Sequence, residues 1–281
     1  MSNPTLASFL LPEGFARPAV VAVIREGSVL TEAGRYALRS AGDRRARRST
    51  PYTGRRRPRA VDPVVLVPGF MAGDASLTLM ARHLRAQGFR TYRSHIRANV
   101  GCTLDAAAQL EERLESIVIR RGSRVQLVGH SLGGMLARGI AVRRPDLVSG
   151  IVTLGSPMLA PAAHHRVLTA SVDLLVRLSR AGVPGLMAAD CVAGDCARQS
   201  FDESQLPMPA GVGFTAVYSK RDGIVDWRAC VPAAAHGIEV TASHVGMAVD
   251  PRVIDHVVTS LHRQAAASVT SVVEVDRGVT A

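Results

Sequence analysis

The sequence is poor in aromatic residues and has no long apolar run. Phe, Trp and Tyr make up 4% of the 281 residues, so Val, Leu, Ala and Ile must fill the core of the fold. The lack of any apolar stretch of about 18 residues argues against a membrane-spanning helix. No positive charge precedes the short apolar patch Leu6 to Leu11, so the pattern does not predict a secretory signal, and we expect a cytoplasmic protein.

Cysteine is also scarce. The four cysteines do not form the C-x-x-C pairs typical of zinc sites, so the sequence predicts no metal site. Cys191 and Cys196 are close enough along the chain for a short-loop disulfide, and free thiols at these positions are the equal alternative.

Positive charge is present but concentrated. The net charge is +11, and the stretch 44–59 holds eight arginines and no acid, which leaves 11 − 8 = +3 for the rest of the chain. Such a cluster can bind the phosphates of nucleic acid or anionic lipid. The bland alternative is a solvated linker, which we favour because Tyr52 is its only aromatic residue. We therefore expect no nucleic-acid partner and leave open a peripheral membrane contact through residues 44–59.

Hydrophobic patterning divides the chain into three parts. Residues 1–60 are predicted to be an N-terminal extension, with short helices near 18–27 and from Thr31, followed by the Arg-rich stretch as a loop or disordered linker. Residues 61–265 alternate strands and helices, which predicts one α/β domain. A helix from about Arg252 closes this domain near Arg263, and residues 266–281 are predicted to be a weakly ordered tail.

The alternation predicts a mostly parallel central sheet with helices on both faces. It pauses over residues 157–212, which we interpret as a cap or lid insert with one helix, about Ala162 to Arg180, and irregular sequence after it. The predicted strands are Val64–Val67, Phe89–Ser94, Val125–Val128, Ile151–Leu154, Phe214–Tyr218 and Ile238–Thr241.

One motif carries nucleophilic chemistry. Gly129-His130-Ser131-Leu132-Gly133 fits G-x-S-x-G, lies after the strand Val125–Val128 and precedes a helical segment. The sharp turn from strand to helix requires residues without bulk two positions before and after the serine. Ser131 is therefore the candidate nucleophile. His130 is interpreted as a supporting residue, because adjacent side chains on a tight turn point apart.

A serine nucleophile needs a base, and the base needs a carboxylate. His244 is the best base, because it follows the last predicted strand and precedes the closing helix on a loop with Gly246. Asp222 is the best acid, because it follows the strand Phe214–Tyr218, and Asp226 is its rival. Asp226 is alternatively the cap of a turn that starts at Trp227.

Acyl transfer also needs donors for the oxyanion. The N–H of Leu132, at the start of the helix after Ser131, is one candidate. The second is the N–H of Phe70, in the loop after the first strand of the domain, where Gly69 lets the backbone approach the site; Met71 is a less favoured donor.

Four segments in this order resemble bacterial lipases and esterases of the α/β-hydrolase superfamily. They are Val-Pro-Gly-Phe at 67–70, Gly-His-Ser-Leu-Gly-Gly at 129–134, Ser-Lys-Arg-Asp-Gly-Ile-Val at 219–225 and Ser-His-Val-Gly-Met at 243–247. The resemblance covers about residues 61–264 and implies an α/β-hydrolase fold, a Ser-Asp-His triad, an acyl-enzyme mechanism and no cofactor. The chain departs from many such lipases in having Pro-Gly rather than His-Gly in the oxyanion loop.

These features predict a serine hydrolase acting on small-molecule or lipid esters of carboxylic acids through an acyl-enzyme on Ser131. Apolar residues of the insert favour medium or long acyl chains. An acyltransferase with the same triad is one alternative. A non-catalytic binding protein, with the Arg-rich arm contacting nucleic acid or an anionic membrane, is the alternative from another class. The sequence does not decide the oligomeric state.

Overall fold

The fold is built around a sheet of six parallel strands. The computed structural model describes residues 6–49 and 62–278. Within them the strands lie in the order β2-β1-β3-β4-β5-β6, and every pairing is parallel. The strands are β1 Val64–Val67, β2 Thr91–Arg93, β3 Val125–His130, β4 Val148–Leu154, β5 Gly213–Ser219 and β6 His236–Val240.

Eight α-helices accompany these strands in the described residues. They are α1 Val29–Ser49, α2 Thr78–Ala86, α3 Thr103–Arg121, α4 Leu132–Arg143, α5 Arg166–Arg180, α6 Asp190–Ala193, α7 Asp195–Gln205 and α8 Pro251–Gly278. Short 3-10 helices form at Ser8–Leu10, Val20–Ser28, Asp74–Leu77, Trp227–Cys230 and Val245–Ala248.

Alternate residues of the strands face two separate cores. Val64 and Leu66 pack with α2 and α8 on one face, and Val65 and Val67 pack with α3 and α4 on the other. Because both faces are covered, the inner strands β1, β3 and β4 are buried along their whole length and mostly apolar, which explains the apolar runs in the sequence. The prediction of an α/β sheet with helices on both faces is confirmed.

The strand order reverses between β1 and β3. From this point the chain builds the sheet outward first through β2 and later through β4, β5 and β6. Open α/β sheets bind ligands beyond the carboxyl ends of the strands at such a reversal. The loops that carry Phe70, after β1, and Ser131, after β3, both start there.

Three sequence-based element predictions were wrong. The Arg-rich stretch does not begin as a loop, because α1 continues to Ser49; arginine favours helix, and the first proline comes only at position 51. The rest of that stretch, 50–59, lies outside the described residues. The closing helix does not end near Arg263, because α8 runs to Gly278 through the helix-forming segment 264–267, Gln-Ala-Ala-Ala.

The third correction concerns the insert, residues 157–212. Its predicted helix is present as α5, which ends at Arg180 as expected and begins at Arg166 rather than Ala162. The sequence after it is not irregular, since α6 and α7 follow. They are separated by Gly194 alone, and the Asp190 carboxylate accepts the N–H groups of Asp195 and Cys196 at 2.9 and 3.2 Å. This side-chain cap satisfies the first donors of α7 and lets one helix follow another directly.

The N-terminal segment packs along the α/β domain. In α1, Arg35 pairs with the buried Asp250 at 2.6 Å and Arg39 pairs with Asp255 at 2.5 Å, both near the start of α8. Nearer the N-terminus, the Ala7 N–H donates to Val192 of the insert. Residues 6–49 therefore contact both the closing helix and the insert.

Candidate active site

Ser131 occupies a strained turn between β3 and α4. Its backbone angles, φ of 52° and ψ of −122°, lie in a region that residues other than glycine rarely adopt. Such a conformation costs about 1–3 kcal/mol and persists only where its surroundings hold it. Here the Ser131 N–H donates to the Leu154 carbonyl at 2.8 Å, which fixes the turn at the end of β4.

The glycines of the motif are required by close backbone contacts. A Cβ at Gly129 would collide with the backbone of Gly133 and Gly134, and a Cβ at Gly133 would collide with the carbonyl oxygens of Val67 and Pro68. The turn therefore packs directly onto the loop after β1. The sequence-based reason for glycine at both positions is confirmed.

Asp222 and His244 form a buried hydrogen-bonded pair. The Asp222 Oδ2 lies 2.7 Å from His244 Nδ1. The other carboxylate oxygen, Oδ1, accepts the N–H groups of Ile224 and Val225, each at 2.8 Å. These two donors hold the carboxylate so that it faces the imidazole. A side chain at Gly155, directly after β4, would meet His244 Nδ1 at 3.0 Å and Asp222 Oδ2 at 3.2 Å, so the pair lies beside the strand that anchors Ser131.

Asp226 has a different role. Its Oδ1 accepts the Arg228 N–H at 3.1 Å at the start of the 3-10 helix Trp227–Cys230, and its Oδ2 accepts the Ala16 N–H at 3.2 Å. Asp226 therefore caps this turn and ties it to the N-terminal segment, as the bland alternative predicted.

His130 links the serine turn to His244. Its Nε2 lies 2.9 Å from the His244 carbonyl oxygen, and the centroids of the two rings are 4.9 Å apart. Burial, with a further contribution from His244, lowers the pKa of His130 to about 4. A neutral His130 engaged with the backbone fits its predicted supporting role.

The environment of His244 favours its cation. Burial opposes protonation, but the charge and hydrogen bond of Asp222, aided by the charge of Glu26, hold the pKa of His244 above its ordinary value. An imidazole that gains a proton readily, with Nδ1 held by a carboxylate, is suited to act as a base through Nε2.

The oxyanion loop after β1 is held by Asn99. The Met71 N–H donates to the Asn99 carbonyl at 3.0 Å, which removes Met71 as a free donor for substrate. The Asn99 amide Nδ2 donates to the Pro68 carbonyl at 2.9 Å, and Phe70 pairs with Asn99 as an isolated bridge. Phe70 therefore remains the candidate donor of this loop, in a backbone held from two sides.

An apolar cavity opens at this edge of the sheet. Its volume is about 130 Å³, and Ser131, Leu132 and Phe70 all line it. The remaining wall is largely apolar and includes Leu10, Met135, Leu168, Val172 and Phe201. Leu168 and Val172 of α5 thus line the cavity, whereas Val167, Leu174 and Leu178 of the same helix are exposed.

Sequence reasoning missed the carboxylates of the N-terminal segment. Glu26 Oε1 accepts the N–H groups of Gly223 and His244 at 2.9 and 3.0 Å, and its Oε2 accepts the Val245 N–H at 3.0 Å. Glu26 thereby joins the loop of Asp222 to the loop of His244. In the sequence, Glu26 is only an acid next to an apolar run. Its hydrogen-bond partners lie about two hundred positions away, so no local pattern could indicate this role.

Glu32 holds the same loop through Ser243, the residue before His244. It is buried, and its two carboxylate oxygens accept the N–H and Oγ–H of Ser243 at 2.8 and 2.7 Å. The Ser243 Oγ in turn accepts the Gly246 N–H at 3.0 Å. The sequence suggested Glu32 only as an acid in the first turn of a helix.

Known structures share this architecture. The mature form of the Bacillus licheniformis lipase BlEst2 is similar, with a TM-score of 0.58 and 16% sequence identity over 75% of this chain and 96% of that chain. The protein has the α/β-hydrolase fold. A monoacylglycerol lipase from Paleococcus ferrophilus is also similar, with a TM-score of 0.50 and 16% identity over 74% of this chain and 96% of that chain.

A sequence family covers the centre of this α/β-hydrolase fold. The PGAP1-like alpha/beta domain matches residues 98–180. That range contains β3, the Ser131 turn, α4 and β4. Asp222 and His244 lie beyond it, so their part in the site depends on the geometry of this chain.

Proposed function

We propose that the protein is a serine hydrolase that cleaves carboxylic esters through an acyl-enzyme on Ser131. The observation that carries the proposal is the strained serine on the wall of an apolar cavity, joined through His130 to the buried Asp222–His244 pair. The similarity in fold to two lipases supports the same chemistry.

The first chemical step is attack on the ester. With the His244 Nδ1–H donated to Asp222, Nε2 takes the proton of Ser131 as Oγ bonds to the carbonyl carbon. The N–H groups of Phe70 and Leu132 hold the oxyanion, and the positive end of α4 favours the same charge. The C–O bond then breaks, His244 returns the proton to the leaving alcohol, and the acyl group stays on Ser131.

Water completes the reaction. His244 takes a proton from water as its oxygen attacks the acyl-enzyme, the oxyanion forms against the same two N–H groups, and the acid leaves as Ser131 recovers its proton. The raised pKa of His244 suits this step, because the imidazole must bind a proton in each transition state.

The cavity suggests the size of the acyl group. Its volume of about 130 Å³ is close to the roughly 150 Å³ of an engineered apolar cavity that binds benzene. We therefore propose an acyl chain of about six carbons as the best fit to this cavity. Rates across p-nitrophenyl esters should rise from acetate to hexanoate and fall for long chains; a flat profile, or a maximum at acetate, would contradict the apolar acyl site.

Ser131→Ala tests the nucleophile directly. Hydrolysis of p-nitrophenyl hexanoate should fall to background, labelling by a fluorophosphonate probe should disappear, and the melting temperature should not decrease. Ser200→Ala is the matched control, because Ser200 lies on the same cavity and should leave labelling intact. Labelling of Ser131→Ala at wild-type level would disprove the proposal.

The same assay separates hydrolysis from acyl transfer. An alcohol acceptor is added to the reaction, and the free acid and the new ester are quantified. We expect the acid to predominate at millimolar acceptor. Predominant formation of the new ester would contradict a hydrolase and identify an acyltransferase.

A further inference from the structure

Three cysteine thiols converge beside the cavity. The Sγ atoms of Cys102, Cys191 and Cys196 all lie within 4.8 Å of one another, and those of Cys102 and Cys196 are 3.3 Å apart. All three are free, half-buried thiols from different elements: Cys102 directly precedes α3, Cys191 lies in α6 and Cys196 lies in α7. The predicted short-loop pair of Cys191 and Cys196 is therefore part of a larger cluster, which the spacing along the chain did not indicate.

The backbone around the cluster is held in place by other contacts. Asp190 accepts the Cys196 N–H and so fixes the turn between the two insert cysteines. On the other side, the Met187 N–H donates to the Val100 carbonyl at 2.8 Å, which ties the loop before α3 to the insert. These hydrogen bonds position the three cysteines without involving their sulfur atoms, which stay available to bind a metal, as in preorganised metal sites.

The surroundings of Cys191 and Cys196 disfavour their thiolate forms in the absence of a bound cation. Burial, together with the neighbouring thiols, raises the pKa of Cys196 and of Cys191 above the ordinary value. Cys102 directly precedes α3 and Cys196 lies in the first turn of α7, so thiolate charge at either residue is near the positive end of a helix dipole, which favours anions. What the three thiolates would still need is a cation that binds sulfur.

We propose that Cys102, Cys191 and Cys196 form a binding site for one thiophilic cation of the Zn²⁺ class. Zn–S bonds of about 2.3 Å in a tetrahedral site place the sulfur atoms about 3.8 Å apart, within the spacing of this cluster. Binding exchanges three thiol protons for one Zn²⁺, and no electron transfer is required. Water or an added ligand takes the fourth position.

The position of the site gives the cation a structural effect. Cys102 belongs to the loop that starts α3 on the α/β core, whereas the other two cysteines belong to the insert. Cys191 and Thr103 also line the cavity. A bound cation therefore joins the insert to the core next to the proposed acyl site and stabilises the wall of the cavity.

Metal titration tests the site on the full chain. The reduced, chelator-treated protein is titrated with Zn²⁺ against a chromophoric chelator, and we expect one high-affinity ion per chain and a higher melting temperature with Zn²⁺. Cys102→Ser, Cys191→Ser and Cys196→Ser should each weaken binding at least about tenfold, because loss of even an outer-shell partner of a metal typically costs about 10- to 100-fold in affinity. Cys230→Ser is the matched control, because Cys230 is a buried thiol away from the cluster and should leave binding unchanged.

A second measurement needs no variant. Zn²⁺ should protect Cys102, Cys191 and Cys196 from alkylation by iodoacetamide, as mapped on peptides. The absence of stoichiometric binding, unprotected thiols at saturating Zn²⁺, or equal affinity in the Cys102→Ser and wild-type proteins would overturn the proposal. A Cys102–Cys196 disulfide that persists in the purified protein and prevents Zn²⁺ binding would also overturn it. None of these readouts depends on esterase activity, so failure of the metal site and failure of the proposed function are distinguishable.

Discussion

The role of each buried carboxylate in this site depends on the hydrogen-bond partners of its oxygen atoms. Asp222 and Asp226 are both buried aspartates in one loop, yet only Asp222 has an oxygen directed at His244. Asp226 has both oxygens engaged by backbone N–H groups. The residue type therefore does not assign the acid, whereas the hydrogen-bond partners distinguish the two.

The two aspartates provide a matched pair of variants. Asp222→Asn should lower kcat by about 10³- to 10⁴-fold, because the amide cannot stabilise the imidazolium and favours the wrong tautomer. Asp226→Asn should leave kcat within a few-fold of wild type and mainly lower the melting temperature. Steady-state kinetics on a p-nitrophenyl ester measures both; a larger loss of kcat in Asp226→Asn would contradict the assignment.

Glu26 is a positioning residue, since it acts on His244 through the backbone and through its charge. Glu26→Gln should lower kcat roughly tenfold, as expected for loss of hydrogen bonds to a charged acceptor. Its charge helps to raise the pKa of His244, so the variant should have a lower pKa there. Because the base must be unprotonated, the acidic limb of the kcat/KM profile should move to lower pH.

The pH profile distinguishes this role from a purely structural one. Glu13→Gln is the control, because Glu13 is exposed on the same N-terminal segment. It should leave both kcat and the profile unchanged. A Glu26→Gln enzyme with reduced kcat and an unshifted acidic limb would show that Glu26 affects folding alone.

At the scale of the element, the turn between β3 and α4 is the most constrained part of the chain. The Ser131 conformation and the glycine contacts follow from bringing a strand, a helix and the loop after β1 together within van der Waals distance. Helix α4 also contains Gly139, where an added Cβ would meet nothing closer than 3.9 Å. One helix thus offers a required glycine and a replaceable one.

Gly133→Ala and Gly139→Ala should have opposite effects. Gly133→Ala should lower the free energy of unfolding by about 1–3 kcal/mol or more, because the methyl group collides with backbone atoms that cannot move independently. Gly139→Ala should raise it by about 0.5–1 kcal/mol, because alanine favours helix. Urea denaturation of both variants measures the difference; equal destabilisation would contradict the packing argument.

Over the whole molecule, the N-terminal segment completes the domain. It supplies Leu10 to the cavity wall, Glu26 and Glu32 to the loop of His244, and Arg35 and Arg39 to ion pairs near the start of α8. No described helix is long and apolar enough to cross a membrane. The proposed membrane contact of residues 44–59 stays a prediction, because most of that stretch lies outside the described residues.

The buried Asp250 makes the stability of the folded protein depend on pH. Burial opposes its charge, but hydrogen bonds from Arg252 and Arg35 hold its pKa below the ordinary value. Its contribution to stability is therefore fully present above the unfolded-state pKa of about 3.9 and is lost as the pH falls through the lower folded-state pKa. Asp250→Asn should be less stable than wild type by about 1–3 kcal/mol at pH 7, with a difference that shrinks below about pH 4.

Denaturation at several pH values checks this dependence. Asp146→Asn is the control, because Asp146 forms an exposed pair with Arg144 and should change stability by less than about 1 kcal/mol. A constant difference between wild type and Asp250→Asn from pH 7 to pH 3 would contradict the linkage.

Local patterns were enough to predict much of the fold and part of the site. Strands buried on both faces give apolar runs, a strand–helix turn with no room for side chains requires glycine, and the helical segment predicted after Ser131 forms as α4. These features depend on residues within a few positions of one another. The candidate residues Ser131, Leu132, Phe70 and His244 were selected in this way, because each lies within a few positions after the end of a strand of the parallel sheet.

Contacts between distant parts of the chain were decided only by the tertiary structure. The contacts of Glu26 and Glu32 with the loop of His244, and the meeting of Cys102 with Cys196, join residues whose separation along the chain carries no signal. The physical reason is that periodicity and spacing report which face of an element is buried. The partner that each buried polar atom finds depends on how whole elements pack against one another.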